Sequence, residues 1–211
     1  MPGGPLLAGF IAAALVILLI PGPAVLYLVT RSLAQGRRAG FVSVLGLSTG
    51  ALVHVLAATV GLSAILVASS TAFTAVKMLG AGYLIYLGIR ALLAARREST
   101  AVETPPPRSL SRIYTEGILV SIFNPKIGVF FLAFLPQFVD PAAGPVAVQV
   151  LFLGLLYVAL ALVTDSLYVV LAASVRHVMT ERMLRGPVPQ YASGVIYIGL
   201  GVTMALGGRR N

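Results

Sequence analysis

The sequence predicts an all-α integral membrane protein with six transmembrane helices, arranged as two inverted three-helix repeats. Three observations carry that expectation. The chain of 211 residues is 58% hydrophobic and only 10% charged, a balance outside the range of water-soluble domains. Its apolar residues gather into six runs, each near or above the roughly 20 residues that a helix needs to cross about 30 Å of hydrocarbon. A polar, proline-bearing stretch then divides those runs three and three.

The runs are Pro5 to Leu28, Phe41 to Ser69, Ala72 to Leu93, Gly117 to Phe138, Val146 to Val175 and Val188 to Leu206. The first has no Lys or Arg before it, exceeds the length of a signal-peptide core and lacks an Ala-x-Ala site, so it reads as a retained helix. In the third, Lys77 and Arg90 shorten the uncharged core and snorkel toward opposite faces. The stretch RRESTAVETPPPRSLSR, Arg96 to Arg112, is an exposed linker by its proline run and charge. The organisation expected is therefore a first repeat over 1–95, a cytoplasmic linker over 96–112 and a second repeat over 113–211, forming one membrane domain.

Charge sets the topology. A net charge of +9 would point to nucleic acid in a soluble protein, but here the cations lie mostly between apolar runs and orient the chain in the bilayer. Arg31, Arg37 and Arg38 follow the first run; Arg90, Arg96, Arg97, Arg108 and Arg112 follow the third; Arg176, Arg182 and Arg185 follow the fifth. These eleven of the fifteen cations put three loops in the cytoplasm and both termini outside. A five-crossing arrangement with one re-entrant segment, and the amino terminus inside, is compatible with the same runs. With three crossings per half, the second half is inserted upside down relative to the first, an arrangement common among secondary transporters.

The halves also share a feature of position. PGP at Pro21, Gly22 and Pro23 interrupts the first run of one half, and NPK at Asn124, Pro125 and Lys126 interrupts the first run of the other. At 1.5 Å per residue, Pro23 lies roughly 12 Å from Arg31, Lys126 roughly 15 Å from Glu116 and Asp165 roughly 16 Å from Arg176. Two breaks, a cation and an anion thus come to one depth near the middle of the bilayer. A proline break frees a carbonyl and exposes unpaired N–H groups at the next half-helix, which hydrocarbon tolerates only beside protein or a wet cavity. Such a site suits a small zwitterion. Lys126 would hold its carboxylate, and Asp165 would accept its ammonium or carry a proton; the bland alternative is a structural Lys126–Asp165 pair. His54 is a second candidate for proton coupling, weighed against a histidine simply satisfied by a neighbour.

Other signals resolve to packing or to absence. GLSTG at Gly46 to Gly50 matches the nucleophile-elbow string, but it lies in a continuous apolar run, and Gly46 and Gly50 read as a small-residue face for close helix contact. The chain has no cysteine, which excludes disulfides, thiolate metal sites and thiol redox chemistry, and no P-loop string, so neither a metal nor any cofactor is expected and no enzymatic activity.

Residues from both halves carry a family resemblance: PGP at Pro21 to Pro23, the glycines Gly36, Gly40, Gly46, Gly50 and Gly61, KMLGAGYLIYLGIR from Lys77 to Arg90, and FNPKIGVFFLAFLPQF from Phe123 to Phe138. In these the chain resembles the lysine-exporter superfamily, specifically its homoserine and threonine exporter family of bacterial amino-acid efflux proteins. The resemblance implies a multi-pass protein of the bacterial cytoplasmic membrane that exports amino acids or close derivatives without ATP hydrolysis; proton antiport is the energy source expected beside it, with inward proton movement driving outward cargo and Asp165 binding the proton. It implies as partners a small-molecule substrate and the lipid bilayer, with a homo-oligomer left open and no nucleic acid. Export of a non-amino-acid metabolite, or a channel-like activity, stays open beside it. The family motif covers Pro21, Gly22, Pro23, Asn124, Pro125 and Lys126; Asp165 and His54 rest on their place in apolar spans alone.

Overall fold

The computed structural model describes residues 2–68 and 107–174, with isolated helical positions at 78, 82, 85, 86, 89, 93 and 198. All its regular elements are helical among the described residues. Helix α1 spans Gly4–Leu19, α2 Pro23–Gln35 and α3 Arg37–Ala68. Helix α4 spans Leu110–Ile122 and α5 Pro125–Val129; α5 runs on through a π turn at Phe130–Phe134 and a 3-10 turn at Leu135–Phe138. After a second 3-10 turn at Pro141–Ala143, α6 spans Val146–Ser174.

Among the described residues, two helices are long and apolar enough to cross a bilayer unaided, within Arg37–Gly61 and Val146–Ser174. They correspond to the second and fifth predicted runs. The first and fourth runs, expected as single spans, are each a pair of helices. Gly4–Leu19 and Pro23–Gln35 meet at 52°, and Leu110–Ile122 and Pro125–Phe138 meet at 44°, because Pro21, Pro23 and Pro125 deny the backbone the N–H donors that a continuous helix needs. The first pair also runs past Leu28 to Gln35, so Arg31, counted above as a loop cation, is a buried residue of α2. The third and sixth runs, and most of the linker, lie outside the described residues.

Helices α2 and α3 are joined at Gly36, whose φ of 82° is a conformation that side chains rarely allow, so glycine lets one helix turn directly into the next. Contacts at this turn define one end of the bundle. Gln35 and Arg108 exchange two hydrogen bonds of 2.8 and 2.9 Å, and Arg37 donates to Ser174 Oγ at 3.1 Å. Glu116 gathers Arg31 from α2 at 3.4 Å, Arg112 at 3.1 Å and Arg108 on the same carboxylate. Tyr27 adds a 2.7 Å bond to the Ile113 carbonyl and lies beneath the Arg31 guanidinium. The other end is tied by Gln149, which bonds the Asp140 amide and the Asp140 and Gly144 carbonyls.

Helix α3 packs closely on α4 through glycine. A Cβ at Gly46 would strike the Tyr114 carbonyl and come within 3.2 Å of the Gly117 Cα, while one at Gly50 would lie 2.6 Å from the Ile118 carbonyl and 2.5 Å from the Ser121 side chain. A larger cluster around Phe10, Phe130, Phe131 and Tyr157 fills one half of the interior, and a smaller one around Leu28, Val44, Leu47 and Val169 fills the half toward the arginines. Outward-facing residues are apolar too: Phe123 is 78% exposed, Val60 74% and Leu171 63%. An apolar core inside an apolar surface is what a bilayer solvates.

Gly46→Val is expected to lower the thermal midpoint of the purified protein by about 2–10 °C, because overpacking costs about 1–3 kcal/mol and the contact is backbone on backbone. Gly61→Ala, whose added Cβ meets nothing within 4 Å among the described residues, should not lower it; equal midpoints for the two variants would contradict this helix contact.

Candidate functional site

Each proline removes the N–H that would have bonded the carbonyl four residues earlier. Pro21 orphans Ile17, Pro23 orphans Leu19 and Pro125 orphans Ser121. In hydrocarbon these carbonyls need other partners. Ile17 O accepts the Lys126 ammonium at 3.1 Å, with a long bond from the Ile20 amide at 3.2 Å. Leu19 O accepts the Tyr168 hydroxyl at 2.9 Å. Ser121 O lies 3.1 Å from His54 Nε2, which donates to it when that nitrogen carries the proton, and also accepts the Asn124 amide at 3.1 Å. Each orphan is met by a side chain from a different element.

Lys126 does more than fill one gap. Its Nζ also donates to Ile20 O at 2.8 Å, so a cation sits on the negative end of α1. It is 5% exposed, and Gly22 lies so close that a Cβ there would come within 3.3 Å of the lysine's Cε and Nζ. The break of one span is therefore stitched to the break of the other. Asn124 starts α5 by accepting the Lys126 backbone N–H on its Oδ1 at 3.0 Å.

Both breaks come at one level. From the arginine-rich end, α2 and α4 each run 13 residues before the interruption, roughly 20 Å along either helix. Between them lies a small cavity, with about 20 Å³ open to the centres of water molecules, enough for about one water. Asn124, Lys126 and Asp165 line it together with Ser48, and the first turn of α2 reaches it through Ala24 and Val25. Asp165 is 7% exposed; among the described residues no ion pair joins it directly to Lys126. Asn124 Nδ2 and Ser48 Oγ are buried with no hydrogen-bond partner among the described residues.

The sequence-predicted residues thus divide. Asn124, Lys126 and Asp165 line the cavity, and Gly22 packs on the Lys126 side chain. Pro21, Pro23 and Pro125 shape the breaks without lining it, Pro23 and Pro125 being exposed. His54 stands apart, on Ser121 O and stacked 6.1 Å from the Phe131 ring. Gly46 and Gly50 lie at the α3–α4 contact. Sequence reasoning missed Ser48, Tyr157 and Tyr168. Tyr168 follows Asp165 by three, a spacing that marks it as a neighbour of a buried anion, whereas Tyr157, eight positions earlier and roughly 12 Å along the helix, shows only in the structure, where it lines the cavity. Ser48 carried no such signal. Among the described residues no group of three or more His, Cys, Asp or Glu side chains gathers to hold a metal.

A family model described as LysE type translocator matches residues 15–208. Curated relatives include an uncharacterized membrane protein of Vibrio cholerae, 29% identical over 93% of this chain and 94% of that protein. The leucine efflux protein of Salmonella choleraesuis is 24% identical over 93% and 92% of the two chains. The homoserine/homoserine lactone efflux protein of Salmonella typhimurium is 35% identical over 73% and 74%. No solved structure matches the chain.

Lys126→Met leaves the buried Ile20 carbonyl without its donor and Tyr168→Phe leaves the lipid-facing Leu19 carbonyl without its side-chain donor, each at a cost of about 1–3 kcal/mol in a medium that offers no other partner. Thermal midpoints in detergent are expected to fall by about 2–10 °C. Adding Asp165→Asn to Lys126→Met should not restore the midpoint, because the carbonyls rather than the carboxylate are the partners of the ammonium; full restoration would make the pair with Asp165 the structural one.

Proposed function

Because the chain belongs to the LysE type translocator family, we propose that it is a secondary transporter exporting amino acids or closely related metabolites across the bacterial cytoplasmic membrane, driven by the proton gradient. The observation that carries the reading is the meeting of two broken spans at one depth around Lys126, Asn124 and Asp165. The relatives named leucine efflux protein and homoserine/homoserine lactone efflux protein support an outward direction and an amino-acid cargo.

The remaining architecture follows from the same reading. Six spans, two of them broken, form two inverted three-span repeats, 1–95 and 113–211, joined by a cytoplasmic linker over 96–112 whose last three residues already belong to α4. The described elements support the inversion. The first half meets its break on the way toward the arginine-rich end, the second on the way from it, and a long unbroken helix follows in each. That basic end faces the cytoplasm, with both termini outside.

In the mechanism, Lys126 and the open N-terminus of α2 provide positive potential for a carboxylate, and Asp165 provides the single anion. Asp165 takes the cargo ammonium or a proton, one at a time, so inward proton movement exchanges against outward cargo. A cavity that admits about one water is a closed form of the site. Cargo enters when the α2–α4 contacts at Glu116, roughly 9 Å along α2 from Val25 to Arg31, separate on the cytoplasmic side.

Asp165→Asn is expected to remove stimulation of efflux by a pH gradient in proteoliposomes, leaving at most the rate seen without a gradient. Unchanged gradient-driven efflux at normal protein levels would take Asp165 out of the mechanism, and saturable counterflow by the native protein separates a carrier from a channel.

A further inference from the structure

The polar groups around the cavity are unequal in kind. Donors dominate: Asn124 Nδ2 and Ser48 Oγ are buried without partners among the described residues, and Lys126 Nζ has spent two of its three hydrogens on Ile17 and Ile20. Helix α2 adds N–H groups of its first turn, at Ala24 and Val25, which have no intrahelical acceptor and no capping side chain at Gly22. Against these stands one anionic acceptor, Asp165. The rest of the described wall is aliphatic apart from the Tyr157 ring on α6: Leu18 from α1, Leu47 and Ala51 from α3, Ile127 from α5 and Ala161 from α6.

Building on the exporter reading above, we propose that the cargo is an α-amino acid bound as its zwitterion with a neutral aliphatic side chain. Its carboxylate lies among Asn124, Ser48 and the first turn of α2, its ammonium on Asp165, and its side chain against Leu47, Ala51 and Ala161. The donor cluster accepts one carboxylate, and the lone acceptor satisfies one ammonium. A second ammonium, as on lysine, or a second carboxylate, as on glutamate, would then be buried against aliphatic carbon and the Tyr157 ring, with no second counter-charge among the described lining residues. Leucine and valine fit this division; cationic and acidic amino acids do not.

The test is competition for counterflow of labelled leucine by the full chain in proteoliposomes, without a pH gradient. Valine and unlabelled leucine are expected to compete at least about tenfold better than lysine or glutamate. Leucinamide, which lacks the carboxylate, and 4-methylpentanoate, which lacks the ammonium, are each expected to compete about tenfold more weakly than leucine. In Asp165→Asn the advantage of leucine over 4-methylpentanoate should disappear. Lysine or glutamate competing as well as leucine would overturn the aliphatic zwitterion while leaving amino-acid export standing. Leucinamide or 4-methylpentanoate competing equally with leucine in the native protein would overturn the assignment of the two subsites. Counterflow of no amino acid by correctly folded protein would overturn the exporter reading itself, and this inference with it.

Discussion

A carbonyl oxygen in hydrocarbon must have a donor, and three prolines in this chain each take one away. The answers define the interior. Lys126 reaches back 106 residues to Ile20 and also covers Ile17, Tyr168 covers Leu19, and His54 covers Ser121. Because each donor comes from another element, the breaks are not local kinks but junctions where distant parts of the chain are held together. Lys126 is the most consequential of the three. A buried ammonium on the end of α1 is stabilised by the helix dipole and its carbonyls, and it fixes the second break beside the first.

That junction places opposite chemistry around one small space. The end of α1 uses its free carbonyls on Lys126 and Tyr168, whereas the start of α2 keeps its N–H groups and faces the cavity. The asymmetry follows from proline itself, which leaves an acceptor on one side of the break and an uncapped helix start on the other. Asp165, from an unbroken helix, brings the compensating negative charge. Farther along α2, Arg31 and Glu116 bind the helix to α4, so the element that opens into the cavity also carries its closure toward the basic end.

Much of this was legible in the residues. PGP and NPK mark the breaks, their distances from the flanking charges bring them to one depth, and Asp165 stands out as a carboxylate in an apolar helix. Gly46 and Gly50 show their spacing directly. What proline removes can also be read four residues upstream, but the replacement donor cannot, since nothing local in NPK tells that the Lys126 ammonium bonds Ile17 and Ile20. Arg31 was misplaced for a related reason: charge counting treats every arginine as solvated, while this one is buried against Tyr27 and Glu116. The π turn at Phe130–Phe134 leaves no periodic signature, because five consecutive apolar residues fit any helical period.

The central claim is that cargo passes through the space where the two breaks meet. The chain contains no cysteine, so a single thiol introduced as Ser48→Cys reports on that space alone. The account predicts that a small, membrane-impermeant anionic thiol reagent labels it in native membranes and that saturating leucine slows the labelling several-fold, while Val60→Cys on the exposed outer face reacts only with lipid-soluble reagents and is indifferent to leucine. Labelling at Ser48→Cys that no amino acid slows, or reaction there only with lipid-soluble reagents, would contradict it.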